Sequence, residues 1–417
     1  MQHVDECAAQ ATRSILVILP TWVGDFVMAT PTLRAIRNRF DEARITFLMH
    51  SNLRELVRGG DWMDECVEWP PVRTQCMSDG SRMIANCQLP IADSHPTPRL
   101  RLGFGYEAPS SYWGLVMTLR ARKFDMAVLL PNSFRAAWIA WLSAAKRRIG
   151  YNRDGRGFLL TDRIPIKNRR GRCNLSQFPN TIRMGTKLPV RLGRHVPMPM
   201  VEYYANLAEA VGCERPGDRL ELFTTPDCDE SIQNRLSVLG VANRNPLIVI
   251  SPGAKFGASK CWMPERFTAV GDRLIETQDA TVIVTCGPGE EPIARQIGKA
   301  MKHEGFVFDD PLLTLGELKS LIRRSDLLIC NDAGPRHLAK AFDVPVVTVF
   351  GPTHPDWTST SYEKERIVRI DVDCSPCQQR VCPLGHHQCM TGVTVDMVVA
   401  AAASLLRSRI PQHAETR

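Results

Sequence analysis

Short apolar runs alternate with longer amphipathic stretches through most of the chain. Residues 14–19 (SILVIL), stopped by Pro20, predict a buried strand, because β-branched and aliphatic residues fill it without polar alternation. Residues 44–49 (RITFLM) and 124–130 (FDMAVLL) predict two more, and 148–150 begins a further strand or turn. Helical periodicity falls on 29–40, 134–145 and 201–211. The order strand, loop, helix, strand is the opening of a doubly wound parallel sheet. The second half repeats it, with strands at 246–250, 280–286, 326–330 and 344–350. Its helices are expected at 264–276, 290–303, 315–324, 334–342 and 394–406. Pro264 sits in a first helical turn, where proline is tolerated.

The pattern divides the chain into two α/β units joined between 212 and 245. Residues 1–214 form the first unit, with irregular insertions near 71–110 and 151–200, where periodicity is weak and Pro, Gly and Ser are frequent. Residues 215–393 form the second, and 394–417 a terminal helix and tail. Loops with Gly, Asp and Lys follow the strands, so ligand sites are expected at the strands' carboxyl ends, in a cleft between the units.

The chain has 417 residues, 44% of them apolar and 23% charged, as in ordinary globular proteins. No run approaches the roughly 18 apolar residues of a membrane-spanning helix, and no cleavage signal follows residues 14–20. A cytoplasmic protein is expected. Net charge is +8, and 14 basic residues face 3 acidic ones between Arg120 and Arg172. Such a surface attracts nucleic acid, anionic headgroups or phosphorylated sugars, although charge alone leaves a merely solvated surface open.

Four segments carry candidate chemistry. Gly24-Asp25 follows the first strand, where a carboxylate serves as a general base or as a helix N-cap, and position alone favours the cap. Residues 251–260 (SPGAKFGASK) combine small residues with Lys255 and Lys260, as a phosphate-cradling loop requires, without the Walker A pattern; a solvated loop is the alternative. Residues 331–337 (NDAGPRH) open a helix after a strand. Free N–H groups, Arg336 and His337 would meet a diphosphate there; otherwise Asp332 caps the helix and His337 packs inside. Glu290 and Glu291, after Gly287-Pro288-Gly289, suit ribose hydroxyls or simply the helix dipole.

Cys374, Cys377, Cys382 and Cys389 lie within 16 residues, with His386 and His387 among them. Four thiols ligate Zn²⁺ or an iron–sulfur cluster, form disulfides where the compartment is oxidising, or stay free. The spacing lacks a second C-x2-C, so a structural metal is more plausible than a catalytic one.

Together, VGDFVMATPTLRAIR, SPGAKFGASKCWMPERF, NDAGPRHLAKAFDVPVVTVFGPTHPDWT and CSPCQQRVCPLGHHQCM resemble the ADP-heptose:lipopolysaccharide heptosyltransferases of glycosyltransferase family 9, the heptosyltransferase II branch in particular. The resemblance spans residues 14–406. It implies a GT-B architecture: two Rossmann-like domains with parallel sheets facing a central cleft, the first for the acceptor and the second for the nucleotide sugar. It implies inverting transfer from ADP-heptose to the Kdo/heptosyl-lipid A inner core of lipopolysaccharide, with no cofactor required. The acceptor implies peripheral contact with the cytoplasmic face of the inner membrane.

By the same resemblance Asp25 is the catalytic base, and Lys260 neutralises the departing ADP. Asp332, Ala333, Gly334 and His337 bind the donor, with His337 and the helix N-terminus adding positive potential. Lys255 and Phe256 fall at donor-loop positions, and Glu290 or Glu291 holds the ribose. Alternatives are another nucleotide sugar or acceptor and, more remotely, a metal-stabilised nucleic-acid-binding protein. The latter leaves the Gly-Asp and Asp-Ala-Gly turns unexplained, so no nucleic-acid partner is expected.

Overall fold

The computed structural model describes residues 12–71, 105–165, 181–184, 197–241 and 246–407. Its first sheet contains β1 (Ser14–Ile18), β2 (Arg44–Met49), β3 (Glu65–Glu68), β4 (Gly105–Glu107), β5 (Met126–Leu129), β6 (Arg147–Tyr151) and β7 (Asp162–Ile164). The second contains β8 (Thr181–Met184), β9 (Leu247–Ser251), β10 (Thr281–Thr285), β11 (Phe306–Phe308), β12 (Leu327–Asn331), β13 (Val346–Val349) and β14 (Glu365–Ile370). Helices of eight residues or more are α1 (Val23–Arg39), α2 (Tyr112–Arg120), α3 (Phe134–Leu142), α4 (Met200–Ala210) and α5 (Pro226–Val238) in the first part. They continue as α6 (Pro264–Gln278), α7 (Glu291–Ala300), α8 (Leu315–Arg324), α9 (Gly334–Ala341) and α10 (Val395–Arg407).

The strand orders are β4-β3-β2-β1-β5-β6-β7 and β11-β10-β9-β12-β13-β14-β8. Every pairing between these strands is parallel, as between Ile15 and Ile45 and between Leu328 and Val346. This is the GT-B architecture expected from the resemblance. In each sheet the order reverses once, between β1 and β5 and between β9 and β12. Such a reversal parts the flanking helices and opens a crevice at the strands' carboxyl ends.

The strands are apolar throughout because both faces are covered. Ile15 and Val17 enter a core under α1 and α4, whereas Leu16 and Ile18 enter one under α2 and α3. The first core continues into the second half through Val249, Ile283, Leu328 and Val346. A third core lies between the second sheet and α6, α7 and α10.

Two expectations change. Helix α1 begins at Val23, not at residue 29, and runs through Pro31. Proline leaves the carbonyl four residues earlier without its helical donor. The Thr30 hydroxyl supplies one, donating to the Val27 carbonyl at 2.8 Å. The stretch 151–200, expected to be irregular, supplies the edge strands β7 and β8, one to each sheet. Three or four residues at a sheet edge carry too little alternation to read. Strand β3 (ECVE) also lacks an apolar pattern, because Glu65 pairs with Arg122 at 2.7 Å and Glu68 with Arg54 at 3.1 Å. Of the insertion near 71–110, residues 72–104 lie outside the described residues.

The segment joining the halves is fastened from both sides. The Glu221 carboxylate accepts from Trp62 Nε1 at 2.6 Å and pairs with Arg34, while its N–H donates to Thr30 Oγ1 at 3.1 Å. Two residues on, the Phe223 carbonyl accepts from the buried Lys319 of α8 at 2.6 Å. Arg323 of the same helix reaches Thr224 Oγ1 at 2.6 Å.

Replacing Thr30 by Val removes both of its hydrogen bonds while keeping its shape. Urea denaturation is expected to show a loss of about 1–3 kcal/mol, since the Val27 carbonyl stays buried and unpaired.

Candidate active site

Asp25 reaches the first crevice from the turn after β1. Trp22 is the extended residue before α1 and its side chain makes no cap bond. Asp25 is therefore the third residue of the helix and not its cap, against what position alone favoured. Its half-buried carboxyl lies near the buried Tyr204 of α4. Burial pushes it up to about 6, while the nearby ammonium of Lys260 pulls it down.

Lys260 comes from the other half, at the end of the single turn Ala258–Lys260 after β9. Its Nζ donates to Asp332 Oδ2 at 2.5 Å and to the Asp332 carbonyl at 3.2 Å. An ammonium has three donors, so one remains for a ligand. Phe256 lies beneath, its ring 4.8 Å from Lys260 Nζ and 5.7 Å from the Arg380 guanidinium. Lys255 is exposed and makes none of these contacts.

Asp332 follows β12 but does not cap α9, as one alternative supposed; Ala333 is the cap residue. The Asp332 carboxylate accepts from Thr353 Oγ1 at 2.7 Å and faces Arg336 at 3.5 Å. Burial alone would raise its carboxyl, but Lys260 and Arg336 hold it below the ordinary value. Asn331 fixes the loop from below, accepting from Trp262 N–H at 3.1 Å and donating to the Pro252 carbonyl at 2.5 Å.

Arg336 is not a donor facing the crevice. It is wholly buried, donating to Glu365 Oε2 at 3.0 Å and to Thr358 Oγ1 at 2.5 Å. Lys340 meets the same carboxylate at 2.7 Å, and Thr348 donates to it at 3.0 Å. Burial would raise Glu365, but the two cations hold it far below the usual carboxylate range. Burial, aided by Arg336, pushes Lys340 down to about 8.

His337 is buried, and its Nδ1 has no hydrogen-bond partner. Burial, with Arg336 and Lys340 close by, drives its pKa well below the ordinary value. The ring is neutral, so it adds no positive potential, contrary to the expectation. It packs on the first half instead: a Cβ on Gly24 would fall 2.9 Å from His337 Cδ2. A Cβ on Gly334 would likewise come 3.1 Å from Val23 Cγ1. Bare backbone on each side thus lets α1 and α9 meet end to end, with Asp25 beside the contact.

Glu290 and Glu291 separate clearly. Glu290 precedes α7, accepts from Gly287 N–H at 2.9 Å and lies against Gly253 of the Lys260 loop, where a Cβ would clash at 1.9 Å. Glu291 begins the helix, and its charge acts on Cys286 at the end of β10.

The four clustered cysteines line one small cavity with His386 and His387, and Cys374 Sγ lies 3.9 Å from His386 Nε2. All four are free thiols. Among the described residues, no group of three or more His, Cys, Asp or Glu side chains is arranged to hold a metal ion. The loop grips the neighbour of Lys260. Ser259 donates from Oγ to the Gln379 carbonyl at 2.6 Å and from N–H to the Arg380 carbonyl at 3.2 Å. His387 Nε2 lies 2.7 Å from the Ser259 carbonyl. A separate cavity of about 550 Å³, lined by Arg215, Asp218, Ser361 and Glu365, opens beside α4 and does not include Lys260.

Sequence reasoning missed Thr353 and Glu365. Thr353 stood in a quoted motif without a role, and Glu365 in ERIVRI carries no local sign of the cations it meets. The change Glu365→Gln leaves Arg336 and Lys340 buried against each other. Chemical denaturation is expected to show a loss of about 3–5 kcal/mol, the cost of breaking a buried ion pair.

The family model for glycosyltransferase family 9 (heptosyltransferase) matches residues 112–178 and 188–388. Lipooligosaccharide heptosyltransferase 2 of Haemophilus influenzae is 23% identical over 94% of this chain and 99% of its own. Lipopolysaccharide heptosyltransferase 2 of Salmonella typhimurium is 25% identical over 94% and 98%. Among solved structures, a family 9 glycosyl transferase from Veillonella parvula superposes with a TM-score of 0.69 at 19% identity, covering 95% of this chain and 97% of that one. The ADP-heptose lps heptosyltransferase II of E. coli gives 0.67 at 21% identity, over 95% and 99%. With more than half its length matched by the family model and both crevices built at the strand reversals, the chain belongs to glycosyltransferase family 9, the heptosyltransferases.

Proposed function

We propose that the protein transfers a heptose from ADP-heptose to the inner core of lipopolysaccharide, with inversion and with no divalent metal in the step. The observation that carries this reading is the opposition of Asp25 and Lys260: a carboxylate on one half sits in the field of an ammonium on the other. The acceptor hydroxyl gives its proton to Asp25 as its oxygen bonds to the anomeric carbon. The bond from that carbon to the β-phosphate oxygen breaks, and its electron pair leaves with ADP. Lys260 and the amino end of α9 meet the charge that grows there, an electrostatic role realised in the transition state. Attack opposite the leaving group inverts the centre. Glu290, against the Lys260 loop, is better placed than Glu291 to hold the ribose. An acceptor carried on lipid A brings the enzyme to a bilayer surface.

A base must be ionised to act. The rate kcat/KM is expected to rise with pH and level off above about 6, where the Asp25 carboxyl titrates. Lys260→Ala removes the charge that lowers this value, so the acid limb moves to higher pH and the rate falls by about 10²–10³. A limb unmoved in Lys260→Ala would argue against the opposition. From the ordinary 3.8 up to about 6, the folded chain keeps a proton that the unfolded chain has lost. Stability therefore falls as pH rises through that window. Asp25→Asn is expected to raise Tm at neutral pH while activity drops by about 10²–10⁴.

Calorimetric titration in EDTA with ADP-heptose, ADP-glucose, UDP-glucose and ADP tests the donor. Preferred binding of ADP-heptose, lost in Lys260→Ala, is the expected result. Binding confined to UDP-glucose would overturn it.

A further inference from the structure

Helix α3 has an unusual outer face. Phe134, Trp138 and Trp141 recur at spacings of four and three, which puts them on one side. They are 44, 41 and 46% exposed, against a buried opposite face of Ala136, Ala137, Ile139 and Ala140. Their rings run in a row, with centroids 6.3 Å apart from Phe134 to Trp138 and 5.2 Å from Trp138 to Trp141. Phe158, 68% exposed, extends the row 6.1 Å beyond Phe134. The neighbouring α2 adds exposed Trp113 and Met117, also four apart. Nothing in the hydrophobic core calls for these rings, since the inner faces of both helices already fill it. A contiguous exposed apolar patch of this kind marks a contact surface.

Charge identifies what the surface contacts. Arg120 and Lys123 at and after the end of α2, Arg135 on α3, Lys146 and Arg147 between α3 and the start of β6, and Arg153 after β6 are exposed. Lys146 pairs with Asp125, Arg147 with Asp162 and Arg153 with Asp154, while Arg120, Lys123 and Arg135 sit on or next to the aromatic helices in the chain. From residue 112 to 163 there are ten basic and three acidic residues, and of the acidic three only Asp154 is fully exposed. A second copy of the chain, meeting this face about a two-fold axis, would set cations against cations. An anionic bilayer complements both features: Trp rings settle at headgroup level, and Lys and Arg meet the lipid phosphates.

We propose that the outer face of α2 and α3 docks the protein on an anionic phospholipid bilayer, with Phe134, Trp138, Trp141 and Phe158 seated among the headgroups. The placement deepens the proposed function and rests on its lipid-borne acceptor. Helix α3 starts at the carboxyl edge of β5, the strand paired with β1, so the row of rings begins on the edge that carries Asp25. A docked enzyme thereby holds its first crevice at the membrane surface.

The test uses the full chain with vesicles of phosphatidylethanolamine and phosphatidylglycerol, and with phosphatidylcholine alone. Sedimentation should show binding to the anionic vesicles and little to the neutral ones. The double variant Trp138→Ala/Trp141→Ala should bind about tenfold more weakly or worse, from the loss of two buried rings. Arg120→Glu/Lys123→Glu should weaken binding at low salt and much less at high salt. Brominated acyl chains should quench wild-type tryptophan fluorescence more than that of the double Trp variant. Transfer to a deacylated, water-soluble acceptor should be unchanged in both variants. Unaltered vesicle binding by the Trp variant would overturn the proposal, as would a dimer in sedimentation velocity that the same variant dissolves while vesicle binding persists. If wild-type transfer to the soluble acceptor fails while vesicle binding behaves as described, the proposed reaction is wrong and the docking surface stands.

Discussion

The contact between Lys260 and Asp332 organises the second half of the molecule. Alone it would be a costly buried pair. It is the end of a line of alternating charges that runs from Lys260 to Asp332, Arg336, Glu365 and Lys340. Each interior member is flanked by opposite charge, which offsets the desolvation that burial imposes. The line holds three cations and two carboxylates, so one positive charge is left over, and its outer end is the Lys260 ammonium at the crevice. A diphosphate arriving there completes the alternation. Because Arg336 is fixed by Glu365, the ammonium is held through Asp332 by groups buried well behind it.

The same line explains how the halves communicate. Burial, with Arg336 and Lys340 close by on α9, keeps the His337 ring neutral. A neutral ring can lie against the Gly24 backbone, where an imidazolium would face the amino end of α1. The end-to-end approach of α1 and α9 then sets Asp25 within the field of Lys260. A carboxyl whose own surroundings resist its ionisation is thus drawn back toward the ionised form by a cation from the other half.

Much of this was legible in the chain. The strands were, because sheets covered on both faces need uninterrupted apolar runs, as in SILVIL and PLIVI. That Asp25, Lys260 and Asp332 lie beyond the carboxyl ends of such runs was legible too. What escaped has physical reasons. The start of α1 was hidden by Pro31, whose fault is repaired by one threonine hydroxyl. The pairing of Arg336, read as a diphosphate donor, with Glu365 was not legible, because nothing local reveals that two charged residues 29 positions apart bury each other. The grip of the cysteine loop on Ser259 uses backbone carbonyls, which any sequence possesses. His337 was misjudged because its charge depends on neighbours that only the fold assembles.

The joining segment has a mechanical meaning. Glu221 is held by three groups of the first half, and Phe223 and Thr224 are gripped by α8. The two grips are crossed. The Phe223 ring packs on Trp62 of the first half at 5.4 Å, and Arg58 of that half pairs with Asp227 at 3.0 Å. On the other side of Glu221, Asp218 accepts from the Ser361 hydroxyl of the second half at 2.6 Å. Any rocking of one sheet against the other must strain these crossed contacts together, so the segment works as a seam stitched to both halves and not as a single loose pivot.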